Sequence, residues 1–328
     1  MKKLLLCGAT GFIGRNLLNR FAGKKEYEIY ATYHEKTPPE LGTDAPFVHF
    51  IQADLTRRTE ADEAVRGMDV VIQAAATTSG AKEIVSKPYY HVTDNAVMNA
   101  FLFRAAFEHK VEHVIFFSCT VMYPGDRREA VRESDFNFEI TEKYFGAGWT
   151  KVYNEKMCEF YSRIGPTKFT VIRHSNIYGP FDKFDLERSH VFGASLAKVM
   201  QAPEGGKIVV WGDGSEERDL LYADDLADFV QTALARQESN FELVNVGSGE
   251  SIAVRDLVRK IIEHSGKDLE IEFDRTKPTI PFNLKLNIGR AQKKFGWAPR
   301  VLLDEGIEKT LKWYQSHQMK REKAGQAR

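Results

Sequence analysis

Short apolar runs alternate with longer helix-like segments through the first half of the 328-residue sequence. The strands predicted from these runs are residues 4–7, 28–32, 48–52, 70–74, 114–118 and 169–173. The helices predicted between them are residues 13–21, 61–65, 93–109 and 150–164. Because the strands are almost continuously apolar, both faces of their sheet should be covered by helices. The sequence therefore predicts an α/β fold built on a doubly wound parallel sheet.

The alternation loosens after about Tyr178, which favours a smaller second lobe. A strand is expected at 207–211, and a helix should open within 251–256. We expect the first domain to comprise 1–178 with about 220–247, and the second lobe about 179–219 with 248–318. The proline-rich stretch 37–46 should be a surface loop and 319–328 a solvated tail.

Composition excludes several classes of protein. The 46 Lys and Arg residues balance 46 Asp and Glu residues, which argues against a nucleic-acid partner. Cys7, Cys119 and Cys158 are too few and too scattered for a disulfide framework or a metal site, and they favour a reducing compartment. The apolar run at 4–7 is too short for a signal peptide, and no stretch is long enough to span a bilayer. We expect a cytoplasmic protein with no metal and no membrane partner.

A glycine turn follows the first predicted strand and leads into the first helix. Gly8 permits the tight turn, Gly11 lets the backbone approach a pyrophosphate, and Gly14 allows close packing of helix on strand. The amides of Phe12 and Ile13 at the helix N-terminus would then face the phosphates. This order of strand, turn and helix predicts a dinucleotide cofactor.

The series resembles the extended short-chain dehydrogenase/reductases, the NAD(P)-dependent epimerases, dehydratases and reductases of nucleotide sugars. Further matching segments are Ala53-Asp54-Leu55, Ala74-Ala75-Ala76, Asn95, the turn from Arg173 to Pro180, and the stretch from Trp211 to Asp225. Ser189-His190-Val191 is most similar to the GDP-fucose synthase branch. The resemblance implies a Rossmann sheet with a smaller C-terminal α/β substrate lobe, and an enzyme that modifies a nucleotide-activated sugar.

The resemblance also implies the cofactor contacts. Asp54 and Leu55 should lie beside the adenine, the segment Ala74-Ala75-Ala76 should pass the ribose, and Lys151 should hold the nicotinamide ribose. An acidic residue usually ends the second strand of an NAD site, but none precedes Glu35 here. His34 and Lys36 are placed to receive a 2′-phosphate, so NADP is slightly favoured and NAD remains open.

The catalytic residues of the family are only partly present. The family pairs a tyrosine with a lysine four residues later on one helix face, and adds a serine or threonine. Lys151 occupies the lysine position, but Ala147 stands four residues before it, and none of the twelve tyrosines precedes a lysine by four. Cys119 occupies the serine or threonine position, with Thr120 beside it, and a thiol is the weaker donor.

Three interpretations of this departure stay open. Tyr144 supplies the acid, because glycines 146 and 148 allow an irregular backbone that swings it inward. Alternatively, Ala147 clears room for water or substrate, and His190, which matches the histidine acid of the fucose synthase branch, supplies the proton. The third is a catalytically degenerate protein that binds cofactor and nucleotide sugar in a regulatory or structural role.

The substrate residues follow from the same resemblance. Arg218 matches a phosphate-binding arginine, whose planar fork suits a diphosphate, and Lys198 is a second cation. Asn176 and Trp211 should border the sugar and the base. The sequence identifies neither of these.

The two helices at 93–109 and 150–164 form a dimer interface in much of this family. Here they carry more bulky apolar surface than one sheet face needs. Those residues are Val97, Phe101, Phe107, Phe160 and Tyr161. We therefore expect a homodimer.

Overall fold

A computed structural model describes residues 1–38, 45–77, 88–125, 129–186, 189–277 and 283–326. In this part of the chain, a parallel sheet contains β1 (Lys2–Cys7), β2 (Tyr27–Tyr33), β3 (Val48–Gln52), β4 (Val70–Gln73), β5 (His113–Phe117), β6 (Lys168–His174) and β11 (Phe241–Val246). Their order is β11-β6-β5-β4-β1-β2-β3. The order reverses between β1 and β4, and in such sheets ligands bind at that reversal, beyond the carboxyl ends of the strands.

Helices cover both faces of this sheet. The helices are α1 (Phe12–Ala22), α2 (Arg58–Val65), α3 (Thr93–Glu108), α4 (Phe145–Ile164), α5 (Val191–Gln201), α6 (Ala223–Arg236), α7 (Val254–Ser265), α8 (Gly289–Phe295) and α9 (Leu303–Gln326). One face packs against α2, α3 and α4, and the other against α1, α6 and α8. Adjacent strand residues therefore enter opposite cores: Leu4 and Leu6 face α1, whereas Leu5 faces α3. The predicted doubly wound α/β fold is confirmed.

The second lobe is built from short strand pairs and helices. The pairs are β7 (Asn176–Tyr178) with β10 (Leu220–Tyr222), β8 (Lys207–Trp211) with β13 (Glu270–Asp274), and β9 (Glu217–Arg218) with β12 (Ile252–Ala253). Tyr178, Phe192 and Leu311 contribute to a core shared by α5, α7 and α9. Within the described residues, no helix is long and apolar enough to span a membrane.

Two predicted boundaries differ from the structure. The segment from residue 319, predicted as a solvated tail, continues α9 as far as Gln326. Helix α4 begins at Phe145 rather than at residue 150. The glycines of its first turn weaken the sequence signal, which tertiary packing overrides. Most of the predicted loop at 37–46 lies outside the described residues.

A buried histidine makes the stability of the fold depend on pH. His113 Nε2 lies 2.8 Å from Thr170 Oγ1, and burial lowers the pKa of His113 to about 4. The unfolded chain, with a pKa near 6.5, therefore takes up a proton first as the pH falls. The contribution of neutral His113 is complete above pH 6.5 and is lost towards pH 4. It amounts to about 3 kcal/mol, since each pKa unit is worth about 1.4 kcal/mol.

We expect His113→Gln to flatten the loss of unfolding free energy between pH 6.5 and pH 4, measured by urea titration. His174, whose pKa burial also lowers to about 4, keeps the remaining dependence. His49→Gln, at a side chain 49% exposed on β3, is the matched control. Identical pH profiles for His113→Gln and the parent protein would contradict this assignment.

Candidate active site

The glycine turn between β1 and α1 is closed by direct backbone packing. Gly8 adopts φ +72°, and a Cβ there would lie 2.7 Å from the Cα of Ala75, beyond β4. A Cβ at Gly14 would lie 2.1 Å from the Gly8 carbonyl oxygen. Gly11, which precedes α1, has no side chain to cap the helix, so the first amides, including those of Phe12 and Ile13, face outward. This cradle of amides fits the pyrophosphate of a dinucleotide.

The segment 74–76 is held beside the glycine turn by two amide side chains. Asn95 Oδ1 accepts a hydrogen bond from Thr77 N at 2.9 Å, and Asn95 Nδ2 donates to Thr77 O at 3.0 Å. Gln73 Oε1 accepts from Ala75 N at 3.3 Å, and Gln73 Nε2 donates to Asn99 Oδ1 at 2.9 Å. The sequence predicted Asn95 near the start of α3, and the structure shows that its side chain holds the backbone of Thr77.

Asp54 lies just after β3, the strand at one edge of the sheet. Its Oδ1 accepts from Thr56 Oγ1 at 2.6 Å and from Thr56 N at 3.0 Å, and these hydrogen bonds lower the pKa of Asp54. Leu55 beside it is buried, whereas His34 and Lys36 are exposed beyond the end of β2. The structure thus places a fixed carboxylate and two exposed basic side chains at this edge of the sheet.

Lys151 lies at the carboxyl end of β5. Its Nζ donates to the Phe117 carbonyl at 2.7 Å, and Ala147 lies one helical turn earlier in α4. Burial lowers the pKa of Lys151, and the acidic groups of Cys119 and Glu155 oppose that shift. Burial also raises the pKa of Cys119, while the lysine charge lowers it. The lysine and the thiol are therefore close enough to affect each other's ionisation.

Thr120 follows Cys119 in a tight turn. Its side chain is buried, and its carbonyl accepts from Tyr123 N at 3.0 Å. Thr120 thus shapes the backbone that presents the thiol.

Tyr144 ends a short 3₁₀ turn, Glu142–Tyr144, directly before α4. Burial raises the pKa of its phenol, the Arg218 charge lowers it, and Cys119 raises it further. Tyr144 therefore lies within electrostatic range of Cys119 on the sheet and of Arg218 on the second lobe. The structure brings these three predicted site residues together.

The glycines that flank Ala147 serve a different purpose from the predicted one. Both lie inside the regular helix α4, so the expected irregular backbone is wrong. A Cβ at Gly146 would lie 2.8 Å from Val92 Cγ2, and a Cβ at Gly148 would lie 2.8 Å from Ile140 Cγ2. Glycine is needed there because these two side chains pack directly against the helix.

Two histidines complete the cleft. His174 ends β6, and its Nδ1 lies 2.8 Å from the Ser175 carbonyl, so Nδ1 carries the proton. Its low pKa comes mainly from burial, with contributions from Lys151 and His190. His190 directly precedes α5, and its pKa is lowered by desolvation and then by Lys183. His174 was missed in the sequence, although it follows Arg173 in the recognised turn.

The predicted substrate residues lie on the second lobe. Lys198 Nζ donates to the Val209 carbonyl at 2.7 Å and lies 5.8 Å from the ring centre of Trp211, which is 49% exposed. Arg218 Nη1 donates to the carbonyl of its neighbour in β9 at 2.9 Å, and burial lowers the pKa of Arg218. Asn176 Nδ2 donates to the carbonyl of Asp219, between β9 and β10, at 3.3 Å. Lys198 and Trp211 are thus neighbours, whereas Arg218 is electrostatically coupled to the sheet side of the cleft.

Residues 4–247 match the family model described as the NAD dependent epimerase/dehydratase family. The chain belongs to this enzyme family, which confirms the resemblance seen in the sequence. Among similar proteins is a GDP-L-fucose synthase from Azorhizobium caulinodans, 29% identical over 321 residues, covering 95% of this chain and 96% of that protein. A GDP-L-colitose synthase from Yersinia pseudotuberculosis is 27% identical over 316 residues, covering 95% and 97%.

Solved structures of similar fold include a UDP-glucose 4-epimerase from Thermotoga maritima. It has a TM-score of 0.83 and 22% identity, covering 96% of this chain and 99% of that chain. A UDP-N-acetylglucosamine 4-epimerase from Methanobrevibacter ruminantium has a TM-score of 0.84 and 19% identity, covering 96% and 99%. At these identities the similarity establishes the shared fold.

We expect Gly11→Val to abolish dinucleotide binding while the protein stays folded. A Cβ at Gly11 meets only the Gly8 carbonyl, at 3.3 Å, but a branched side chain would occupy the pyrophosphate's approach. Titration calorimetry with NADP and with NAD measures the effect. Gly23→Val, at the other end of α1 with no atom within 4 Å of its Cβ, is the control. Unchanged affinity in folded Gly11→Val protein would overturn this cofactor site.

Proposed function

We propose that this protein binds a nicotinamide dinucleotide at the glycine turn and transfers a hydride at a sugar carbon of a nucleotide-diphosphate sugar. The observation that carries the proposal is the placement of Lys151, Cys119, Tyr144 and His174 around the carboxyl ends of β5 and β6. The names of its relatives, which are nucleotide-sugar synthases, support the same substrate class.

The bound nicotinamide would donate or accept the hydride, and the protein's residues would manage position and protons. The Phe117 carbonyl orients the Lys151 ammonium, which in this proposal holds the nicotinamide ribose. Its positive charge also stabilises negative charge on a nearby acid during proton transfer. We propose NADP as the preferred cofactor, because exposed His34 and Lys36 lie beyond the end of β2, where a 2′-phosphate would bind.

The proton that a tyrosine at position 147 would carry must come from another group. Burial raises the pKa of Tyr144, so its phenol keeps a proton at neutral pH, and Arg218 lies within range to stabilise the phenolate. Desolvation lowers the pKa of His190, so its imidazole is mainly neutral near pH 7 and must first take up the proton that it then passes to the substrate. We propose that the acid has moved from position 147 to Tyr144 or His190.

The substrate's two ends would bind different lobes. Arg218 and Lys198 would bind the diphosphate, because both are cations on the second lobe and Arg218 reaches towards Tyr144. Trp211 offers a half-exposed aromatic face for the base, and Asn176 would border the sugar. The sugar carbon would then lie between Tyr144 and the cofactor.

One alternative function has support of its own. Ala147 carries no proton, and Cys119 replaces the better hydroxyl donor. A protein with these changes that still keeps Lys151 and Arg218 would bind cofactor and nucleotide sugar without turnover, in a regulatory or structural role.

We expect Tyr144→Phe or His190→Ala to lower the hydride-transfer rate by about 10²- to 10⁴-fold, the contribution of a positioned acid or base. Ala147→Tyr should also lower the rate, since its ring would crowd the substrate. The absorbance of reduced nicotinamide is followed while candidate GDP-, UDP- and dTDP-sugars are added. Tyr27→Phe, at the opposite end of the sheet, is the control.

The results separate the alternatives. A faster Ala147→Tyr enzyme, with Tyr144→Phe and His190→Ala at the parent rate, would contradict a relocated acid. If the protein is an enzyme, Lys151→Met should lower its hydride-transfer rate, because the substitution removes the ammonium that holds the nicotinamide ribose. A parent protein that binds cofactor and sugar nucleotide without changing the redox state of the cofactor would be the binding protein of the alternative.

We further propose that the protein forms a homodimer through α3 and α4. Tyr153, Phe160 and Ile164 leave α4 on one face and are 58%, 55% and 50% exposed. The neighbouring Tyr161 ring lies 5.4 Å from the ring of Phe107 on α3, so the two helices form a continuous apolar surface. A surface of this kind on paired helices favours self-association about a two-fold axis.

We expect sedimentation at micromolar concentration to give a dimer, and Phe160→Glu to give a monomer. A charge at the centre of an apolar interface would be desolvated without a partner. Leu302→Glu, at a leucine 76% exposed on the second lobe just before α9, should leave the dimer intact. A monomeric parent protein would disprove the interface.

A further inference from the structure

A buried ion pair lies one helical turn beyond Lys151. The side chains of Glu155 on α4 and Arg173 on β6 are 5% and 4% exposed. Arg173 Nη2 donates to Glu155 Oε2 at 2.6 Å, and Arg173 Nε donates to Glu155 Oε1 at 2.9 Å. This bidentate contact fixes both the distance and the angle between α4 and β6.

The same carboxylate also binds the end of β5. Ser118 Oγ donates to Glu155 Oε1 at 2.6 Å, and Ser118 directly follows Phe117, whose carbonyl accepts from Lys151 Nζ at 2.7 Å. Lys151 and Glu155 are four residues apart, so they lie on one face of α4. Two successive turns of α4 are therefore hydrogen-bonded to two successive residues, Phe117 and Ser118, at the end of β5.

The pair extends into a larger buried network. Arg173 Nη1 donates to Tyr123 OH at 2.9 Å and to the Glu133 carbonyl at 3.2 Å. Tyr123 OH in turn donates to Asn245 Oδ1 on β11 at 2.7 Å. Apolar residues of similar volume often stabilise a protein as well as a buried ion pair does. The geometry that the pair imposes is therefore the better explanation for its presence.

We propose that Glu155 is a positioning residue for Lys151. Through its hydrogen bonds to Arg173 and Ser118, Glu155 would fix the position and the rotation of α4 relative to the sheet. The Lys151 ammonium would then lie against the end of β5, next to Cys119. The inference rests on the proposed function, in which Lys151 orients the cofactor. Misplacing a catalytic group by about 1 Å can cost about 10²-fold in rate.

The charge of Glu155 has a second effect on Lys151. Burial lowers the pKa of Lys151, while its electrostatic interactions with the thiol of Cys119 and the carboxylate of Glu155 raise it. His174, which also faces the lysine, is kept neutral by its own burial. Removing the Glu155 charge should therefore lower the pKa of Lys151 further.

The central experiment compares Glu155→Gln with Glu159→Gln. Glu159 lies one turn further along α4, and its ion pairs with Lys156 and Arg163 are at the surface. We expect Glu155→Gln to lower kcat about 10- to 100-fold with little change in the KM of the nucleotide sugar, because the second lobe is unaffected. Glu159→Gln should stay within about twofold of the parent. We expect Glu155→Gln to fold, because glutamine keeps the shape of the side chain and one oxygen acceptor for Arg173, and both residues line a cavity of about 160 Å³.

A second measurement is independent of turnover. The reactivity of Lys151 towards an amine-labelling reagent, read by mass spectrometry as a function of pH, reports its pKa. We expect the labelling curve of Glu155→Gln to shift to lower pH, and that of Glu159→Gln to match the parent. If no nucleotide sugar is turned over, the proposed function fails, but this curve still tests the contact between Glu155 and Lys151.

Ser118→Ala covers the case in which Glu155→Gln does not fold. It removes one bond to Glu155 and leaves the ion pair intact, so we expect about a three- to tenfold loss in kcat. Ser162→Ala, at a buried serine of α4 that donates to the Glu159 carbonyl, is its control. Folded Glu155→Gln or Ser118→Ala protein with the parent's kcat and the parent's Lys151 labelling curve would overturn the positioning role.

Discussion

The parallel sheet places the carboxyl ends of β1, β4, β5 and β6 along one edge, and the cofactor side of the candidate site depends on this alignment. Parallel strands require crossover helices on the sheet faces, so the chain returns to the same edge after each strand. The glycine turn, the segment 74–76 and Cys119 follow β1, β4 and β5, and His174 is the last residue of β6. Residues far apart in sequence thus become neighbours because of topology.

The electrostatics of the cleft follow mainly from the burial of its ionisable groups. Burial lowers the pKa of Lys151 and His174 and raises that of Tyr144 and Cys119, so in each case the neutral form is favoured. Nearby opposite charges, such as Glu155 beside the lysine and Arg218 beside the tyrosine, counteract part of that shift. Such a set of perturbed groups around one cleft is typical of sites that move protons.

The departure at Ala147 is informative when it is considered with its surroundings. The lysine and its carbonyl partner are kept, and the helix bearing them is fixed by the Glu155–Arg173 pair. Val92 and Ile140 pack directly against the two adjacent glycines, so there is no space for an irregular loop at this point. Tyr144 instead reaches the cleft from the 3₁₀ turn before the helix, on the side that faces Arg218.

The sequence by itself determined the sheet, the glycine turn and the family, because strand periodicity and turn chemistry are local properties of the chain. The resemblance to the family also pointed to Lys151, Cys119 and Ala147 as the residues at the expected catalytic positions. Only the tertiary structure joined Tyr144 to Arg218, Lys198 to Trp211, and Glu155 to Ser118 and Arg173. These contacts link residues from 13 to 74 positions apart, and burial, which sets their ionisation, exists only after the sheet and helices have packed.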